Sequence, residues 1–169
     1  TGWRGGFEAR QIERNFDPAV GFVNEPGVRD YQMDFGYRHR FRDRMLRSVY
    51  GGVEGSRVDR LGPLAPGTPR LDRQSFGLRL NIEGSSQERG FMGITETEEN
   101  IPADFTVYSE SDGSRTVVIP ANNYRWTQLF MGARTGNHRK VSGFLGAGTG
   151  EYYDGDRNRF ITPGAPLSG

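Results

Sequence analysis

Gln74, Phe76, Leu78, Leu80 and Ile82 alternate one for one with Ser75, Gly77, Arg79, Asn81 and Glu83. A helix gathers residues three and four apart on one side, whereas a β-strand gathers every second residue, so this run is amphipathic only as a strand. The same period governs the stretch from Arg29 to Leu61. Tyr31, Met33, Phe35, Tyr37, His39 and Phe41 share one parity, and Gln32, Asp34, Gly36, Arg38 and Arg40 share the other. After the charged link Arg42-Asp43-Arg44 comes a second extended run, Met45 to Arg60. There Val49, Tyr50, Val53 and Val58 favour strand, while Gly51, Gly52 and Gly55 disfavour helix. The unit is a long hairpin with a short turn. It is followed by a loop, residues 62–69, whose three prolines keep it out of helix and ladder alike.

The remaining chain repeats this rhythm. Trp3 to Glu13 gives a first strand, with Trp3, Phe7 and Ala9 opposite Arg4, Glu8 and Arg10; residues 14–28 are rich in turn formers. Glu88 to Glu98 gives a fifth strand of ambiguous register, with Phe91 on one face and Met92 and Ile94 on the other. Residues 99–123 form the longest connection, and Asp112-Gly113 within it predicts a small hairpin from Asp104–Ser109 and Arg115–Ile119. A sixth strand is expected from Tyr124 to Arg134 and a seventh from Arg139 to Tyr153, with residues 154–169 left as a loop or tail. Short links near Arg42–Arg44, Gly84–Gln87 and Gly136–His138 alternate with long ones after Glu13, Leu61, Glu98 and Tyr153. An antiparallel up-and-down meander would place all short turns at one end and all long loops at the other.

Composition agrees with an all-β chain of about seven strands in a single unit, 1–169: 25 glycines, 9 prolines and 12% aromatics accompany a hydrophobic fraction of only 34%. With 22 basic and 21 acidic residues interspersed, no basic stripe marks a nucleic-acid partner. Cysteine is absent, so neither disulfides nor thiolate metal sites contribute. No run of apolar residues is long enough for a transmembrane helix. A transmembrane β-barrel escapes that criterion, because its strands alternate lipid-facing and lumen-facing residues. Strands of this length, and loops sorted by length to opposite ends, are features of such barrels. The start at Thr1, without methionine or signal peptide, suggests a fragment or a mature segment.

Asn15-Phe16-Asp17-Pro18-Ala19-Val20-Gly21-Phe22-Val23, Tyr31, Gly36-Tyr37-Arg38, Asn123-Tyr124-Arg125-Trp126 and Gly150 to Arg157 point the same way. Through them the chain resembles the C-terminal barrel region of a bacterial outer-membrane family of unknown function, whose members usually carry an N-terminal carbohydrate-binding family 9-like domain. The resemblance implies outer-membrane location, contact with outer-membrane lipid, and carbohydrate handled by a domain outside this sequence. Bacterial barrels of this type have even strand numbers, so seven strands imply a piece of a larger barrel, poorly soluble alone because of its two open edges.

Residues carrying chemistry are sparse. His39 and His138 have no metal-ligand spacing. Residues 154–158, Asp-Gly-Asp-Arg-Asn, lack the spacing and closing glutamate of a calcium loop. Glu96, Glu98 and Glu99 are expected on a solvated rim, and Gly146, Gly148 and Gly150 precede no helix that would make them a phosphate loop. No nucleophile elbow, catalytic triad or singled-out carboxylate pair exists, so neither an enzymatic activity nor a cofactor is expected. The polar parities instead nominate Arg38, Arg40, Arg79 and Glu83, with Glu54 and Asn81, as lumen-facing binding residues. Trp3, Tyr37, Phe41, Trp126 and Tyr153 are nominated as interfacial aromatics near strand ends. The expectation is an outer-membrane barrel segment with a structural, transport or surface-binding role. The alternative is a soluble β-sandwich that binds carbohydrate through exposed Trp and Tyr.

Overall fold

The computed structural model describes residues 1–16, 26–42, 45–109, 116–136, 142–151 and 158–163. Among them the regular structure is entirely β: β1 (Gly2–Ile12), β2 (Val28–Arg40), β3 (Leu46–Arg60), β4 (Leu71–Gly84), β5 (Arg89–Ile101), β6 (Phe105–Ser109), β7 (Thr116–Ile119), β8 (Asn122–Arg134), β9 (Phe144–Gly150) and β10 (Asn158–Pro163). An eight-stranded antiparallel meander runs β1-β2-β3-β4-β5-β8-β9-β10, and β6-β7 form a separate hairpin inserted between β5 and β8. Both the meander and the small hairpin match the sequence reading. The sheet is open, with β1 and β10 as its two edges.

Two expectations are corrected. Residues 158–163 are not tail but an eighth strand of the sheet, paired with β9 from Asn158↔Gly150 to Pro163↔Leu145. The seventh strand is shorter than expected, beginning at Phe144 rather than Arg139. The expected sorting of links by length therefore holds from β1 to β8 but not beyond, because the interval from Arg134 to Phe144 is no shorter than that from Gly150 to Asn158.

Register turns the alternation of each strand into rows across the sheet. On one face Phe35 meets Val53, Val53 meets Leu78, Leu78 meets Ile94 and Ile94 meets Leu129. The next row on that face joins Trp3, Tyr37, Gly51, Leu80, Met92, Met131 and Ala147. Toward the long loops the same face turns polar in steps, first at Glu96 and Thr127 in the row of Phe76, then through Arg57, Gln74, Glu98 and Arg125. From Phe76 to Ile82, at ~3.3 Å per residue, the apolar band extends about 20 Å along β4. Its large side chains stay well exposed, including Trp3 at 69%, Phe35 at 53% and Leu78 at 48%.

The opposite face carries the packing. Tyr50, Val58, Trp126 and Ser48 are buried, and all four lie on it. Arg4 of β1 and Phe144 of β9 line one cavity there, although their strands stand six places apart in the sheet. Laid flat, six interstrand steps of ~4.8 Å would separate those strands by about 29 Å. The sheet therefore curls around its polar face, which is concave.

Glycine makes room for aromatic rings on the inside of that curl. A Cβ at Gly36 or Gly52 would lie 2.4 or 2.5 Å from Tyr50 Oη, and one at Gly93 or Gly132 would lie 2.4 Å from the Phe130 ring or 2.5 Å from the Phe91 ring. Aromatic rings laid over glycines of neighbouring strands fill the surface that curvature compresses.

At the long-loop end two arginines close the loop bases. Arg60 donates to the carbonyls of Pro69 at 3.3 Å, Leu71 at 3.1 Å and Asn100 at 2.6 Å, and pairs with Asp72. Arg14 donates to Leu61 O at 2.9 Å and Pro63 O at 3.2 Å. Its side chain crosses Gly27 and Gly62, whose φ angles of 79° and 86° are left-handed and need glycine.

Candidate functional site: an arginine-lined basin

A cavity of about 860 Å³ lies on the concave face toward the short-link end. Its walls come from successive strands: Arg4 from β1, Arg38 from β2, Ser48 and Tyr50 from β3, Arg79, Asn81 and Glu83 from β4, Arg89 and Phe91 from β5, and Arg134 from β8. Alternation along each strand selects these residues, and register brings them together: Arg38↔Tyr50, Tyr50↔Asn81, Asn81↔Phe91 and Phe91↔Gly132 are one continuous row.

Tyr50 is the floor. It is 3% exposed, and its ring lies over Gly36 and Gly52. Three guanidinium carbons surround that ring, Arg4 at 4.8 Å, Arg38 at 5.6 Å and Arg79 at 5.7 Å from the centroid. Each contact is within cation–π range, and each is strengthened by the exclusion of water from the ring face. Three like charges around one ring also repel one another, so compensating carboxylates decide the balance. Glu54 pairs with Arg79 at 3.2 Å, but Asp34 stands 4.0 Å from Arg4. Glu83 is shared: Arg38 at 4.0 Å, Arg47 at 3.5 Å and Arg89 at 4.0 Å converge on it, and Ser48 Oγ donates to it at 3.2 Å. Of the residues lining the basin, five are arginines and one is a carboxylate. Two buried polar atoms, Tyr50 Oη and Arg79 Nε, have no hydrogen-bond partner.

Three of the four nominated binding residues, Arg38, Arg79 and Glu83, meet in this basin, joined by Asn81. Arg40 does not line it: it is exposed beyond Arg38, where its backbone N–H donates to Thr1 Oγ1 at 3.0 Å. Sequence reasoning missed Arg4, Tyr50 and Phe91 as site residues. Arg4 was legible, since it has the polar parity of β1. Tyr50 was not, because only register sets Gly36 of β2 beside Gly52, its neighbour on the same face of β3, and so clears the space its ring fills.

Of the nominated interfacial aromatics, Trp3 and Tyr37 are paired on the convex face, their ring centroids 4.8 Å apart, and Trp3 also stacks on Phe35 at 5.1 Å. Phe41 is exposed just past β2, edge-on to His39 at 4.5 Å. Trp126 is corrected: it is 6% exposed on the concave face, opposite Thr97, and belongs to no outer ring of aromatics. Tyr153, His138 and residues 154–157 lie outside the described residues.

The acidic cluster divides between the faces. Glu96 and Glu98 point to the convex side, where Arg125 lies 3.3 and 3.2 Å from them and Gln74 and Asn123 donate to Glu98 at 2.7 and 2.8 Å; Glu99, of opposite parity, points to the concave side. Among the described residues no group of three or more His, Asp or Glu side chains is arranged to hold a metal ion. Gly146 lies against the Phe144 ring and Gly150 against Gln128. Comparison of the chain with family models, with curated proteins and with solved structures finds no match.

Proposed function

We propose that this chain is a wall segment of a bacterial outer-membrane β-barrel, of the family it resembles by sequence, with a structural, transport or surface-binding role and no catalytic activity of its own. The observation that carries the reading is the registered apolar band on the convex face, exposed across seven strands and giving way toward the long loops to Glu96 and Thr127 and then to Arg57, Gln74, Glu98 and Arg125. In water such a face exceeds the contiguous apolar patches that monomeric proteins tolerate. Against lipid it is an ordinary outer wall, and the polar concave face an ordinary lumen lining. The two unpaired edges, β1 and β10, fit a sheet that further strands would complete. A carbohydrate-binding sandwich would instead cover the apolar face with a second sheet. Among the described residues the only other sheet is the β6-β7 hairpin, and the face stays exposed.

Circular dichroism and size-exclusion chromatography with and without detergent test this reading. A defined β-rich particle is expected only with detergent or lipid. A compact β-rich monomer in plain buffer overturns it.

A further inference from the structure

From the basin's geometry we propose a binding site for a small organic anion, its oxyanion head held by Arg38, Arg79 and Arg4 above Tyr50 and its apolar body laid against Phe91 and Phe144. This deepens the preceding proposal and rests on it for placing the site in a barrel lumen; the binding chemistry itself rests on the basin alone.

Three observations converge. The first is uncompensated charge. Guanidinium groups meet carboxylates best at about 2.8 Å and in pairs of parallel hydrogen bonds. Arg4 and Arg38 reach their carboxylates only at 4.0 Å, and Glu83 is divided among three arginines. Donors that the protein's own acids do not saturate therefore face the cavity. The second is unpaired buried polarity. A phenol 3% exposed whose Oη has no partner, beside a buried Arg79 Nε also without one, is a costly arrangement for a surface with no ligand. Both atoms are closed to solvent, so an anion in the cavity meets the other guanidinium nitrogens around the ring rather than these two. The third is the amphipathic wall. Phe91 and Phe144 stack with centroids 6.0 Å apart and an interplanar angle of 11°, and both line the cavity that the arginines line. A bare inorganic anion would use one half of that cavity; a carboxylate or phosphate ester with an apolar body uses both. The cavity volume of about 860 Å³ accommodates such a solute.

The test is isothermal titration of the full chain, folded in detergent micelles, with benzoate, phenyl phosphate and uncharged benzyl alcohol as probes. Saturable binding of benzoate or phenyl phosphate is expected, at least about tenfold tighter than benzyl alcohol. R38Q and R79Q should each weaken it by about fivefold or more. R40Q, on the same face but outside the basin, should leave it unchanged. If R38Q fails to give the wild-type circular dichroism spectrum, R4Q takes its place, because the Arg4 side chain is 56% exposed, and the same weakening of about fivefold or more is expected. Absence of saturable anion binding, binding no tighter than benzyl alcohol, or an R40Q loss equal to that of R38Q overturns the proposal. The two proposals fail separately. A micelle-dependent β-particle that binds no anion removes the site and leaves the barrel reading, whereas a compact monomer in buffer that binds benzoate does the reverse.

Discussion

The two faces of the sheet are built from the same strands by opposite rules. On the convex face large apolar side chains meet one another along the central register rows, as Val53, Leu78, Ile94 and Leu129 do, and many remain exposed. On the concave face aromatic rings alternate with glycines, so Tyr50 covers Gly36 and Gly52, Phe130 covers Gly93, and Phe91 covers Gly132. The first arrangement makes no core; the second is the core, made without a second layer. Burial here thus does not follow hydrophobicity. Ser48 at 3% exposure is more enclosed than any leucine of the convex band.

That contrast is open to direct attack. The largest effect is expected at the centre of the convex band: Leu78→Lys should cost about 2–4 kcal/mol of folding free energy in lipid vesicles, the range for a lysine at a bilayer midplane. In plain buffer the same change should improve solubility, and equal destabilisation in both media would break the comparison. Gly36→Ala comes next. Its new Cβ would stand 2.4 Å from Tyr50 Oη and 2.7 Å from the Gly51 carbonyl oxygen, so overpacking should cost about 1–3 kcal/mol in urea unfolding of the micelle-bound protein. Gly51→Ala, on the other face with nothing within 4 Å of its Cβ, is the matched control and should be near neutral. Ser56→Ala removes the hydroxyl pair with Ser75 at 2.8 Å on the concave face, and about 1 kcal/mol should be lost by the same assay. The smallest effect belongs to the polar row. Arg57 pairs with Asp59 at 3.0 Å but its side chain is 51% exposed, and Arg57→Gln should change stability by no more than about 0.5 kcal/mol, less still in high salt.

Sequence alone exposed most of this architecture where a strand's two parities differ in character. β4 is the clearest instance, since Phe76 to Ile82 and Ser75 to Glu83 separate cleanly, and its face assignment carries to every strand paired with it. β5 resisted because Phe91 and Met92 are both large and apolar. Only the pairing of Phe91 with Gly132 shows why a phenylalanine sits on the polar side. β10 was missed because Asn158–Pro163 offers a short alternation ending in proline, opposite a β9 rich in glycine. Trp126 shares its parity with Tyr124 and Phe130, an aromatic face with nothing in the sequence to turn it inward; pairing with Thr97 and Gly93 of β5 puts it on the concave side. Half of the basin followed from parity alone. The remainder depends on register, which brings Tyr50 over Gly36 and Phe91 beside Asn81.

Arg60 ties the carbonyls of Pro69, Leu71 and Asn100 together beneath the loop of residues 61–70, and the loop's far side at Gly67 meets open space. Mechanically the loop is a handle clamped at its root. A foreign peptide spliced beside Gly67 would be carried outward on a fixed mount, with the strands below insulated from its length and sequence. Were the chain the membrane wall proposed above, antibody access to such a graft would report the side on which the long loops stand.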